Sequence, residues 1–172
     1  MRRFAAVWGF MGVFGLCAEA VWRLWSHAKG ALTAELDAVQ VAVAAAWMAF
    51  MGVAEGYRGF HKKFSPRVVA RAAYLAEHAR PIDVALAPLF CMSLYGASRR
   101  GLVVARVLVA GIVVLIVTVP YLPHPWRGIV DAGVVLGLGI GLCSMAYFAV
   151  RALMGSGPAI DPDLPRPEET AR

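Results

Sequence analysis

Charge is scarce in this chain. Only 16% of its 172 residues are Asp, Glu, Lys or Arg, against 60% that are hydrophobic, and the mean hydropathy is +0.65. A water-soluble domain of this length needs far more polar surface to cover its core, so that class is excluded. Cysteine is sparse too. Cys17, Cys91 and Cys143 fall in apolar runs with no CxxC pair or disulfide framework, and they are expected to pack as buried free thiols. The histidines His27, His61, His78 and His124 fall in loops or at interfaces and lack HxxxH or HExxH spacing. None lies deep enough in an apolar run to ligate haem. There is no GxSxG, no phosphate-cradling glycine loop and no close carboxylate pair. Ser93 is the one hydroxyl that invites a nucleophile reading, and no histidine is expected at its depth. No catalytic residue, metal or cofactor is assigned. The formal charge of +6 sits mostly at the ends of apolar runs, where it sets topology and meets anionic lipid headgroups, so nucleic acid is not an expected partner.

What the chain does have is apolar length. Runs at about residues 4–25, 38–57, 102–120 and 129–150 approach or exceed the roughly 18–20 residues that cross hydrocarbon. The expected fold is an all-α integral membrane protein, a single helical bundle over residues 1–154. Residues 155–172, with Pro158, Pro162, Pro165 and Pro167 among acids, are expected to be a disordered tail. Ala18-Glu19-Ala20 has the form of a signal-peptide cleavage site. Against cleavage, the apolar run continues through Val21, Trp22, Leu24 and Trp25, as in an intact first span.

The stretch from Tyr57 to Arg80 organises the rest. It carries Arg58, Lys62, Lys63, Arg67, Arg71 and Arg80 against the single acid Glu77. Basic clusters beside spans stay on the cytoplasmic side. Ser65 and Pro66 read as the N-cap and first residue of a separate amphipathic helix, about residues 66–79, lying in the interface. On it Arg67, Arg71, Tyr74 and His78 share one arc, and Val68, Val69, Ala72, Leu75, Ala76 and Ala79 another. Arg58, Lys62, Lys63, Arg67 and Arg71 are the expected contacts to anionic headgroups.

Residues 82–97 are apolar but short, with Asp83 near one end and Pro88 inside. If they cross, there are five spans, with nine basic residues inside and eight outside. If they form a re-entrant or bundle-buried half-helix, there are four. Fourteen basic residues then lie inside, and only Arg23, Lys29 and Arg127 outside. The usual bias favours four, with both termini cytoplasmic. Richness in Ala, Val, Gly and Arg suits a bacterial inner membrane.

Gly133, Gly137 and Gly141 recur every four residues, and Gly9 and Gly12 begin a looser series, so close helix packing is expected, within the chain or against a second copy. Glu19, Glu55, Asp83 and Asp131 each have an arginine three or four positions away: Arg23, Arg58, Arg80 and Arg127. Interface pairing accounts for Asp83 and Asp131. Glu19 and Glu55, with Gln40 on the same helix edge as Glu55, are the candidates for carrying an ion or proton. They fall in opposite leaflets, which excludes a joint catalytic pair. The leading expectation is a non-catalytic accessory subunit or scaffold, anchored by its basic platform and associating with other membrane subunits or itself. A small ion or proton transporter is the alternative, and a lipid-modifying enzyme the third reading.

Overall fold

The computed structural model describes residues 1–158 and 160–165, and for Leu32 the backbone alone. Among the described residues the chain is all helical, and four helices are long and apolar enough to cross a membrane. Helix α1 is Arg2–Leu32. After a short turn, α2 (Ala38–Met51) passes through a π-helical segment (Gly52–Phe64) into α3 (Ser65–His78), one uninterrupted helix of 41 residues. Two five-residue helices follow, α4 (Pro81–Ala85) and α5 (Ala87–Cys91). Helix α6 is Arg99–Thr118, extended by a 3₁₀ turn at Val119–Tyr121, and α7 is Trp126–Leu153.

Local chemistry sets several of these limits. Asp37 starts α2 by a capping box: its Oδ1 accepts from the Gln40 N–H at 2.7 Å, while Gln40 Oε1 accepts from the Asp37 N–H at 3.1 Å. Ser98 caps α6, its Oγ accepting from the Gly101 N–H at 3.1 Å. Ser65, by contrast, is no N-cap. Its backbone is helical (φ −59°, ψ −47°), it is fully buried, and its hydroxyl donates to the Gly141 carbonyl across the helix pair at 3.4 Å. The separate amphipathic helix is thus the lower part of a continuous one. Proline lacks an N–H and its ring crowds the carbonyl four residues back. The wider π turns directly upstream let the chain pass Pro66 without a break.

The second expectation for this region also changes. The apolar arc of α3 is buried as the pattern implied, but by protein: Val68, Ala72 and Leu75 join Val13 of α1, Phe90 of α5 and Met145 of α7 in the main core. A smaller core, Ala31, Ala44 and Ile129 with Trp47 and Trp126 against it, closes the opposite end of the bundle.

Residues 82–97 make no fifth long helix. They are α4, α5 and an irregular stretch in which Ser93 and Gly96 adopt positive φ. The Asp83 carboxylate accepts from the Arg80 backbone N–H at 2.9 Å, a helix-start contact in place of the side-chain pair expected from spacing. Helix α5 lies against the first half of α1 at its glycines. A Cβ on Gly9 would come within 2.8 Å of Cys91 Sγ, and one on Gly12 within 2.6 Å of Pro88 Cγ.

The glycines of α7 serve the same purpose within the chain. Gly133 lies under Trp47, Gly137 faces Glu55 and Gly141 lies under the Phe60 ring, where an added Cβ would sit 2.5 Å from a ring carbon. The Trp47 indole N–H then reaches the Val130 carbonyl at 3.1 Å. Gly128, outside the expected stripe, lets α7 cross α1 at Ala31 and the His27 carbonyl. Helix α6 is different: only Gly101 and Ala105, both near its start, are buried.

Candidate functional site: the basic end of the bundle

The end of the bundle that holds Arg2, Arg3, the start of α6 and the close of α7 also collects most of the polar contacts. At its centre is Arg71, a residue of α3 with no exposed surface. Its Nε donates to the Phe90 carbonyl at 2.5 Å, Nη1 to the carbonyls of Pro162 at 2.6 Å and Asp163 at 3.2 Å, and Nη2 to those of Tyr95 at 2.9 Å and Gly96 at 2.8 Å. The guanidinium also lies over the Phe90 ring, 4.0 Å from its centroid. Lysine could not make this set, because it lacks the planar fork of donors. Arg71 is therefore not one of the headgroup contacts. It is a buried fastener that joins α3, the loop after α5 and the chain beyond α7.

The same contacts change the view of the tail. Residues 160–165 are laid on the bundle: Leu164 packs on the main core, and the Asp163 carbonyl also accepts from the Ser98 N–H at 3.0 Å. Residues 159 and 166–172 lie outside the described residues. Of the remaining expected headgroup contacts, Arg58, Lys62 and Lys63 are exposed, whereas Arg67 is half-buried. The Arg67 Nε has no hydrogen-bond partner and borders a cavity of about 60 Å³ that Ser93 also lines.

A second cluster lies where the π segment meets α7. His61 Nδ1 is 3.0 Å from the hydroxyl of Ser144, which is itself buried. The His61 ring stacks on Tyr57 (centroids 5.6 Å) and lies near Tyr147 (6.3 Å) and Phe148 (5.4 Å). Cations close both ends of this row. Lys62 Nζ is 4.8 Å above the Tyr57 ring, and the Arg151 guanidinium is 5.8 Å from the Tyr147 ring, with Nη1 donating to its hydroxyl at 3.3 Å. From His61 and Ser144 a shallow groove of about 580 Å³ runs back along α7 past Cys143, Ile140, Gly139 and Val135. His61 is thus in a helix and packed against α7 rather than in a loop, and the expectation of Cys143 as a buried thiol is corrected, since it is exposed.

A serine beside a histidine invites comparison with a nucleophile and its base. The surroundings do not support that chemistry. Ser144 is inside α7, where neighbouring backbone N–H groups are committed to helix bonds and cannot form an oxyanion hole. Among the described residues no carboxylate bonds to His61 to orient it. The pair is an interhelical polar contact at the mouth of an apolar groove.

The acidic candidates are dispersed. Glu19 is exposed and pairs with Arg23 at 3.4 Å. Glu55 is exposed with its Cβ side against Gly137. Gln40 is occupied by the α2 cap, fifteen residues from Glu55, or roughly 22 Å along the helix. Asp131 is buried between α1 and α7, its Oδ2 3.8 Å from both His27 Nδ1 and Arg127 Nε. The Arg127 pairing follows the spacing; His27 adds a cross-helix partner that spacing could not reveal. Asp131 also lies further along its helix than expected, because α7 already begins at Trp126. Among the described residues no three metal-binding side chains come together.

Comparison with known proteins returns no matching family model, no matching curated protein and no matching solved structure.

Proposed function

We propose that this protein is a non-catalytic subunit or scaffold of a bacterial cytoplasmic membrane, with both termini cytoplasmic, which offers α6 to a span of another membrane protein. The observation that carries this reading is the isolation of α6. Among the described residues none of α6 beyond Ala105 is buried, and Val107, Ile112, Val114 and Ile116 are all exposed. Arg106 is exposed on the same helix, two turns in from Arg99. A cation at that depth is stabilised by a carboxylate on a neighbouring span, which gives the partner a chemical signature. The basic end, with Arg58, Lys62 and Lys63 exposed, suits the cytoplasmic, anionic leaflet.

The other readings draw less support. An ion route would need Glu19, Glu55 and Gln40 to share a cavity, and they lie apart. A lipid-modifying enzyme would need an activated nucleophile, which the helical setting of Ser144 denies.

The test is affinity purification from membranes in mild detergent, with photocrosslinking from position 112 or 114. One recurrent membrane protein should copurify and crosslink, and Arg106→Leu should reduce its recovery several-fold. A chain that always emerges alone, with crosslinks to lipid only, overturns the reading.

A further inference from the structure

The geometry points to a binding site for one anionic phospholipid on the outer face of α7, its headgroup drawn to the aromatic row that Lys62 and Arg151 end and one acyl chain lying in the groove. The inference uses the membrane setting of the bundle but not the partner of α6, so either can fail without the other.

Depth supports it first. Tyr147 is twenty-one residues beyond Trp126, or about 32 Å along α7, close to the roughly 30 Å thickness of hydrocarbon. Tyr57 is about as far from the start of α2 at Ala38. With Trp126 and Ala38 at one interface, both tyrosines fall at the other, where aromatic residues belong. Val135, Gly139 and Ile140 then lie within hydrocarbon. The polar groups of the groove are confined to the headgroup layer and its apolar lining to the acyl layer, which is the polarity of a phospholipid.

Charge supports it next. Lys62 lies over Tyr57 at one end of the row Tyr57, His61 and Tyr147, Arg151 lies beside Tyr147 at the other, and both are exposed. Neither forms an ion pair with an acid among the described residues. The Tyr147 hydroxyl accepts from Arg151, and its own hydrogen is free for a phosphate oxygen. The same charges argue against the obvious competing occupant, α6 of a second copy. In a shared membrane orientation that helix would bring Arg99, Arg100 and Arg106 to the end where Lys62 and Arg151 stand. Like charges there oppose docking.

Shape supports it last. Gly139, on the groove floor, has no atom within 4 Å of where its Cβ would be, so it contributes space and not a packing contact. The groove, about 580 Å³, is shallow and open along its length, so a chain lying in it stays in contact with the surrounding lipid.

Native mass spectrometry of the full chain tests the site, with dioleoyl phosphatidylglycerol and dioleoyl phosphatidylcholine as competing probes. The wild-type protein should retain one phosphatidylglycerol in preference to phosphatidylcholine. The double variant K62Q/R151Q should lose about 30-fold of that preference, since each basic residue at the headgroup layer contributes about fivefold. Gly139→Phe, which fills open space, should lower retention of both lipids while leaving the melting temperature unchanged. Arg58→Gln with Lys63→Gln, cations outside the row, should change the preference less than threefold. Equal retention of the two lipids overturns the proposal, as does an equal loss in R58Q/K63Q, which would mean diffuse charge attraction. A dimer crosslinked through Cys143 would also overturn it, by placing a second chain in the groove.

Discussion

Helices α6 and α7 are neighbours in sequence and both long enough to cross a bilayer, yet they have opposite relations to the rest of the molecule. In α7, nine of 28 residues are buried, among them Asp131, Ser144 and four glycines. In α6, only two of 20 are. The more uniformly aliphatic helix is the one that packs less. In lipid, apolar side chains gain nothing by leaving one apolar neighbour for another, so association depends on close backbone approach and on polar contacts. Helix α7 has the glycines and the serine for both. Helix α6 has Val, Leu and Ile on every face, and among the described residues its buried positions all lie near its start, beside the loop and tail that Arg71 fastens.

That tie offers the strongest way to break the comparison. Arg71→Met takes the guanidinium from five carbonyls, of which Asp163 keeps the Ser98 N–H and Phe90 the Ser93 N–H, and should cost about 3 kcal/mol, lowering Tm in detergent by roughly 6–12 °C. Arg71→Lys should rescue less than half of the loss. Equal stability of R71M and wild type would mean that the fastener contributes little.

A matched pair of glycine substitutions comes next in size. Gly133→Leu drives a side chain into Trp47 and Met51 and should cost about 1–3 kcal/mol by overpacking. Gly111→Leu on α6 meets nothing within 4 Å and should leave Tm unchanged within a degree or two. If both variants melt early, α6 is packed in the isolated protein and the contrast fails.

Ser144→Ala sharpens it on the polar side. Removing one interhelical hydrogen bond in such a setting typically costs about 0.6 kcal/mol, with a ceiling near 1.7, so thermal denaturation should show a small, reproducible decrease. The smallest effect is chemical. In lipid-free detergent a maleimide should modify exposed Cys143 and spare Cys91, whose thiol burial pushes up to about 12 and so keeps protonated through the labelling range of pH 7 to 8. Modification of Cys91 at a comparable rate would show that α5 does not stay seated on α1.

The four long apolar helices, the glycine stripe and the buried arc of α3 were all legible in residue periodicity, because hydrophobic length and small-residue spacing are properties of one helix at a time. Arg71 was not. It shares an arc with Arg67, and its acceptors are backbone carbonyls 19 to 92 residues away, which any residue type supplies. The contact of His61 with Ser144 spans 83 residues and depends on π turns whose angle per residue differs from that of an α-helix, so a helical wheel misplaces it. Pro66 misled in a specific way. Serine followed by proline is a sound start signal where the chain comes from a loop, and here it comes from a helix already under way.

The carbonyls that meet Arg71 also impose an order on biogenesis. The guanidinium is made early, but Pro162 and Asp163 leave the ribosome only after every long apolar helix has been synthesised. Until then the Nη1 group of this cation lacks its two acceptors, although Phe90, Tyr95 and Gly96 already serve Nε and Nη2, and the first turn of α6 lacks its link through Asp163 to the rest. The start of α6 is thus fastened only after α6 and α7 have both been made, once Pro162 and Asp163 meet the guanidinium.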